Sequence, residues 1–474
     1  MSMELLVLSW LLLLFSFNFV SDAASLTAQE SKQHQITPLN DYSDYKVIRC
    51  NKTIFEENLY NKRSEINKNK NKNKNNYYYE NVFKIDNNSD QTEDHLDIWA
   101  KSRDFIDIRI HKGDHVPKYC NIMIEDVQST IDKQMVLEEE KEENNNLSFL
   151  KQSAHPFFNT YQNLDEINNW LSELSSNFSE LVSMEIVGQT FEGREMKALH
   201  ISSTEVHSND TIPNGKKTIV ITGGVHAREW VSVSTVCYIA FQLLSRYGHH
   251  KRETAYINNL DFLIIPVFNP DGYSYTWTHD RLWRKNRQQT YFPRCFGIDI
   301  DHSFDFQWTG TSDFPCSEDY SGESPFEALE ADNWNKYLTM KKGDYLLHGY
   351  LDFHSYSQEI LYPYGYSCDA IPRDLENLLE LSYGLARAIR KKSKRKYNVM
   401  SSCLDRGSDL TPGLGSGSAL DYMYHHRAHW AFQLKLRDTG NHGFLLPAKH
   451  IVPVGKESYA AIKYFCDFIL NPDL

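Results

Sequence analysis

Positive charge is in short supply. The 474 residues carry 50 Lys and Arg against 63 Asp and Glu, a formal net charge of −13. No basic domain or nucleic-acid motif breaks this balance, which argues against a nucleic-acid partner. A second long apolar run is also missing: beyond Leu5 to Val20, no stretch is long enough to span a bilayer. That first run ends at Ser21-Asp22-Ala23-Ala24, small residues suited to signal-peptidase cleavage, so residues 1–23 read as a secretory signal peptide. Glu4 stands where the leading segment usually has a basic residue, and an uncleaved anchor is the alternative. A dibasic pair is absent near residue 150, where Lys151 alone offers a trypsin-like cut.

What is present suits a large secreted protein. With 41% apolar residues the chain can build one large domain and a smaller one in front. Eight cysteines in an oxidising compartment invite pairing. Cys50 and Cys120 are available to bridge the front part, whereas Cys237 and Cys466 fall in apolar helical stretches and read as buried free thiols. Sequons at Asn51, Asn87, Asn146, Asn177 and Asn209 are candidate N-glycan sites. An Asn/Lys-rich tract at 62–76 cannot contribute to a core and reads as a disordered insertion. Residues 138–146, acidic and then Asn-rich, read as a solvated linker or helix end.

From about residue 153 strand-like and helical patterns alternate. Leu164, Ile167, Leu171 and Leu174 have helical spacing. Apolar runs at 181–187, 196–201, 218–222 and 260–267 read as strands, the last ending in the turn Asn269-Pro270-Asp271-Gly272. Residues 230–244 and 372–392 read as helices. The second ends in the basic stretch 390–396, a solvated helix terminus or a patch for anionic polymers. Strands interleaved with helices predict an α/β fold with a mixed sheet and helices on both faces.

The chemistry centres on Val225-His226-Ala227-Arg228-Glu229-Trp230. It follows the strand 218–222 and the turn Gly223-Gly224, at the sheet end where α/β folds collect ligands. A spacing of three lets His226 and Glu229 aim at one point, and one imidazole with one carboxylate suits Zn²⁺. Tyr350-Leu351-Asp352-Phe353 reads as a second buried strand ending on His354, a candidate third ligand. GGVHAREW, NPDGYSYTW, RLWRKNR, FHSYSQ, YPYG and LRDTGNHGFLLPA together resemble the zinc carboxypeptidases of the A/B type, from about Ser153 to the C-terminus.

The resemblance implies a three-layer α/β/α domain at 153–474 with a mixed eight-stranded sheet, behind an α/β open-sandwich activation domain at 24–152. That front domain would cover the cleft and assist folding. It further implies one Zn²⁺ on His226, Glu229 and His354, with Asp299 accepting the second N–H of His226. Arg284 takes the oxyanion-stabilising place, and Arg228, Ser355 and Tyr356 line the substrate groove. Disulfides Cys295–Cys316 and Cys368–Cys403 follow from the same likeness, and Leu420 stands where the specificity residue sits, or is ordinary core.

Three departures from the family pattern decide the reading. Where the family binds the substrate carboxylate with Asn-Arg, this chain has Asp301-His302. The general base, a carboxylate before Leu-Arg-Asp-Thr-Gly, is Lys435, and an ammonium has no lone pair for a proton. The mobile tyrosine over the substrate falls near Gly413. Burial beside a dication could lower the pKa of Lys435, but Asp301 is expected to pair with it and hold its charge. The chain therefore resembles the fungal inactive metallocarboxypeptidase-like proteins of cell-wall organisation: a zinc-binding pseudoenzyme, secreted or vacuolar, whose partner is a peptide, a protein or a wall component. The alternative is an active carboxypeptidase of altered specificity.

Overall fold

The computed structural model describes residues 40–51, 53–55, 57–58, 98–101, 105–135, 156–203, 215–405 and 415–471. The signal segment, the tract at 62–76, the linker at 138–146, Lys151, Gly413 and the sequons at Asn87, Asn146 and Asn209 lie outside them.

The front part is a four-stranded antiparallel sheet in the order β2-β3-β1-β4. Its strands are β1 (Tyr45–Asn51), β2 (Ile98–Lys101), β3 (Phe105–His111) and β4 (Cys120–Ile124), followed by the helix Val127–Met135. Sequence reading missed β1, although Val47 and Ile48 are buried. The disulfide Cys50–Cys120 joins directly opposed residues of β1 and β4.

The large sheet has eight strands, β5 (Val182–Gln189), β6 (Glu195–Ile201), β7 (Lys217–Gly223), β8 (Leu260–Ile265), β9 (Leu346–His354), β10 (Glu359–Tyr362), β11 (Asn398–Ser401) and β12 (Trp430–Lys435). Their order is β11-β10-β12-β9-β7-β8-β6-β5. The centre, β12-β9-β7-β8, is parallel, and β10 and β6 run antiparallel to their inner neighbours. This is the mixed α/β sheet expected.

Strand β7 is Lys-Thr-Ile-Val-Ile-Thr-Gly, β-branched and buried on both faces, as a central parallel strand requires. The helix Trp230–Arg246, buried along most of its length, returns over it so closely that glycine is needed at the turn. A Cβ on Gly223 would stand 2.8 Å from Val236 Cγ2, and Gly224 has a φ of +65°. Asn269-Pro270-Asp271-Gly272 is more than a turn: Asn269 accepts from the Gly272 N–H and caps the helix Pro270–Thr278, with proline in its first turn. The two long helices Leu375–Ser393 and Ile451–Leu470 pack together.

Candidate functional site

Adjacent parallel strands bring the site together. Gly223 of β7 pairs with Phe353 of β9, so the loop after β7 and the last residue of β9 open at the same sheet end. There His226 Nδ1 lies 2.9 Å from Glu229 Oε1 and 3.1 Å from His354 Nδ1, and His354 Nδ1 lies 3.2 Å from Glu229 Oε2. All three residues are buried. Tetrahedral zinc with bonds of about 2.0–2.1 Å separates its ligands by roughly 3.3 Å, close to these spacings. Two imidazole nitrogens facing each other beside one carboxylate suit a shared cation. Their burial disfavours the Glu229 carboxylate, but the charges of His226 and His354 outweigh it and hold the acid well below its usual range.

A carboxylate stands behind each imidazole. His226 Nε2 meets Asp299 Oδ1 at 3.2 Å, and His354 Nε2 meets Asp352 Oδ2 at 3.0 Å. Sequence reading missed the role of Asp352. It also accepts from Thr222 Oγ1 (2.7 Å) and Tyr350 OH (3.1 Å). Such partners fix ring orientation and raise ligand basicity. Burial opposes a charged His354, but Asp352 and Glu229 more than reverse that. Asp301, Asp352 and His354 form a second group with donor atoms close together. Its carboxylates already accept from Gln433, Thr222 and Tyr350, and of the two only Asp352 touches a residue of the first group.

The expected Asp301–Lys435 pair does not form. Lys435 ends β12, directly opposite His354, and its Nζ lies 2.5 Å from Asp405 Oδ2. Asp301 instead accepts from Gln433 Nε2 (2.9 Å) and the Ala419 N–H (3.3 Å), tying β12 to the helix Ala419–His426. Both oxygens are satisfied by neutral donors, so a cation is not needed there. Burial presses Lys435 towards neutrality, but Asp405 and then Glu359 overcome it and raise its pKa above the ordinary value. The ammonium therefore stays charged and cannot take a proton from water.

The other cations are spoken for as well. Arg284 binds Asp299 Oδ2 through Nη2 (2.8 Å) and Nε (3.2 Å). Arg228 Nη1 donates to Glu318 Oε2 (2.7 Å) and the Leu282 carbonyl (3.1 Å), its guanidinium 4.3 Å from the centre of the Phe444 ring. His302 turns Nδ1 to the Ser416 carbonyl at 3.3 Å. The Ser355 N–H donates to Glu229 Oε2 at 2.9 Å. Leu420 is core, 2% exposed. Cys295–Cys316 and Cys368–Cys403 are bridged, and Cys237 and Cys466 are buried free thiols, as expected. Asn51 and Asn177 are exposed.

The front domain closes on the same loops. The hydroxyl of Tyr356, two residues beyond His354, donates to Asp107 of β3, which is fully buried. Arg49 grips the same carboxylate through Nε (2.7 Å) and Nη2 (2.8 Å) and also binds the Thr439 carbonyl. Gln134 receives Arg281 Nε at 2.9 Å and donates to the Leu446 carbonyl at 2.9 Å. Arg281, wholly buried 3.6 Å over the Trp230 ring, is pushed down to about 9 by burial. Sequence reading had no signal for these contacts.

Paired strands delivering two imidazoles and a carboxylate to one point define a zinc carboxypeptidase fold, and the zinc carboxypeptidase family model matches residues 167–461. The chain belongs to that family. A Saccharomyces cerevisiae protein named inactive metallocarboxypeptidase ECM14 is 61% identical over 387 residues, covering 80% of this chain and 87% of the relative. A protein of the same name from Uncinocarpus reesii is 40% identical over 410 residues, covering 80% and 70%. The crystal structure of thrombin activatable fibrinolysis inhibitor superposes with a TM-score of 0.70 at 23% identity, covering 91% of this chain and all of that one, a likeness of fold.

Proposed function

We propose that the protein is a catalytically inactive zinc carboxypeptidase homologue that keeps its metal and acts by binding. The observation that carries this reading is the ion pair of Lys435 with Asp405 beside His354, at the place where the family resemblance puts the general base. In a metallopeptidase a carboxylate must take the proton of the metal-polarised water, a contribution of about 10²–10⁴ in rate. Here the residue that ends β12 beside His354 is the Lys435 ammonium, and the substrate carboxylate would meet Asp301 in place of an amide donor. The names of the relatives support the same conclusion.

His226 Nδ1, Glu229 and His354 Nδ1 would hold one Zn²⁺, with Asp299 and Asp352 orienting the rings. Bound there, the ion would polarise oxygen ligands and brace the loops after β7 and β9. The chain is secreted or vacuolar and serves cell-wall organisation by engaging a peptide, a protein or a wall component. The fungal sources of the relatives and the three disulfides support that setting. The test is metal analysis of the secreted chain together with fractionation of expressing fungal cells. One zinc per chain, lost in His354→Ala, and recovery from vacuole, wall or medium support the proposal. Metal-free protein or a cytosolic location would refute it.

A further inference from the structure

The strongest charged feature outside the cleft is the end of the helix Leu375–Ser393. Residues 387–396 contain seven Lys or Arg and no acid, in a chain of net charge −13. All seven are exposed. Among the described residues none of the seven has a carboxylate within ion-pair distance, although acids outnumber bases in the chain. Exposed cations elsewhere are of both kinds: Arg252 pairs with Asp467 and Lys336 with Asp332, whereas Lys118, Arg294 and Lys456 have no carboxylate within ion-pair distance among the described residues; what sets this strip apart is seven such cations within ten positions.

A helix C-terminus favours cations, but only in its last turn. That accounts for Arg390, Lys391 and Lys392. It does not account for Arg387 a turn earlier, nor for Lys394, Arg395 and Lys396 beyond. Like charges at helical neighbours repel. Lys394 also takes the left-handed conformation (φ 64°) at the helix cap, where glycine is the favoured residue. A cluster that sets charge against charge and puts lysine in glycine's place is arranged for something outside the chain.

We propose that this strip binds a linear acidic polysaccharide bearing phosphate or sulfate groups. From Arg387 to Lys394 the helix rises about 10 Å, a rod of cations along which such a chain can lie. Tyr383, 61% exposed, stands one turn before Arg387 and offers a flat amphipathic ring for a sugar face. A membrane surface fits less well. Interfacial helices bury an apolar face, and here Ile389 points into the core. Nucleic acid fits less well too, because one phosphate every ~1.7 Å would run on into a negatively charged body. A sparsely charged glycan touches the strip alone. The strip lies at the cleft end of the sheet: Asn398, two residues beyond Lys396, pairs with Glu359, which pairs with Lys435. It shares no residue with the metal site, so the inference stands whether or not the cleft binds a ligand.

The test uses the full chain and its variant Arg387→Gln, Arg390→Gln, Lys391→Gln, Lys394→Gln. Probes are phosphorylated, sulfated and uncharged dextran oligomers of equal length, a single-stranded DNA oligomer, and phosphatidylcholine vesicles with about a quarter phosphatidylserine. Binding of a charged dextran, absence of binding to the uncharged one, and at least an approximately tenfold loss in the variant are expected. The slope of log affinity against log salt should fall by about 2–4 in the variant. Which charged dextran binds better identifies phosphate or sulfate as the group. Thermal melts should show the variant folded and no less stable, since every changed residue is exposed. Equal affinity of the two proteins, no binding to either charged dextran, or tighter binding to DNA or vesicles would overturn the proposal.

Discussion

Lys435 and His354 end neighbouring parallel strands as register partners, so the imidazole and the ammonium leave the sheet side by side. The ammonium is held by Asp405, in the turn that also carries Cys403 of the Cys368–Cys403 bridge. A carboxylate restored at 435 would enter a place already lined by Asp405 and Glu359. Lys435→Glu is therefore expected to cost about 2–4 kcal/mol of stability, read by urea unfolding. It should gain no measurable peptidase activity on C-terminally varied peptides, because Arg284 remains bound to Asp299 and the Asp301 carboxylate, proposed to face the substrate carboxylate, remains in place on Gln433. Strong recovery of turnover would contradict the anchor argument.

Asp352 stands behind His354 much as Asp299 stands behind His226. Asp352→Asn keeps the shape and removes the charge. Zinc affinity, measured by competition with a chromophoric chelator, is expected to fall about 10–100-fold. An unchanged affinity would mean that the buried carboxylate serves only Thr222 and Tyr350.

The contact between Tyr356 and Asp107 joins the loop after the metal ligand to the front domain. Tyr356→Phe removes one hydrogen bond to a buried carboxylate, worth about 1.5–3 kcal/mol. Limited proteolysis should then cut the front domain faster, with zinc content unchanged. Equal cutting rates would show that the packing of Val47, Ile124 and Ile131 against Leu282 and Phe444 carries the docking alone.

Glu330 supplies a pH dependence away from the metal. It is fully buried, Oε2 accepts from Asn286 Nδ2 at 2.7 Å, and burial raises its pKa from 4.5 to about 7. A folded-state value above the unfolded one gives stability that is complete below about 4.5 and lost as pH rises through about 7. Glu330→Gln is expected to be near neutral around pH 5 and stabilising by about 2–3 kcal/mol around pH 8. Equal effects at both pH values would place the charged carboxylate in the native state throughout.

The legible part of the fold was the part written in local pattern. The buried β-branched run of β7, the His-x-x-Glu after it and the histidine closing β9 are contiguous signals, and the structure brings them to one point. Asp352 was hidden because a single acid inside an apolar strand does not show which way its side chain points. The pairing of Lys435 was misread because Asp405 approaches from the short helix after β11, 30 residues away in sequence. Gln433, two residues before Lys435 on the same strand, satisfies Asp301 where the lysine was expected. Strand β1 and the Asp107–Arg49–Tyr356 junction were likewise missed, being contacts between distant segments that periodicity does not record.

The most direct measurement is release of C-terminal residues from a peptide panel by the zinc-loaded large domain, freed of its front domain and assayed beside Glu229→Ala. Indistinguishable, background-level release from both proteins is the expected result. Release by the wild-type chain at an ordinary carboxypeptidase rate, abolished in Glu229→Ala, would contradict the account.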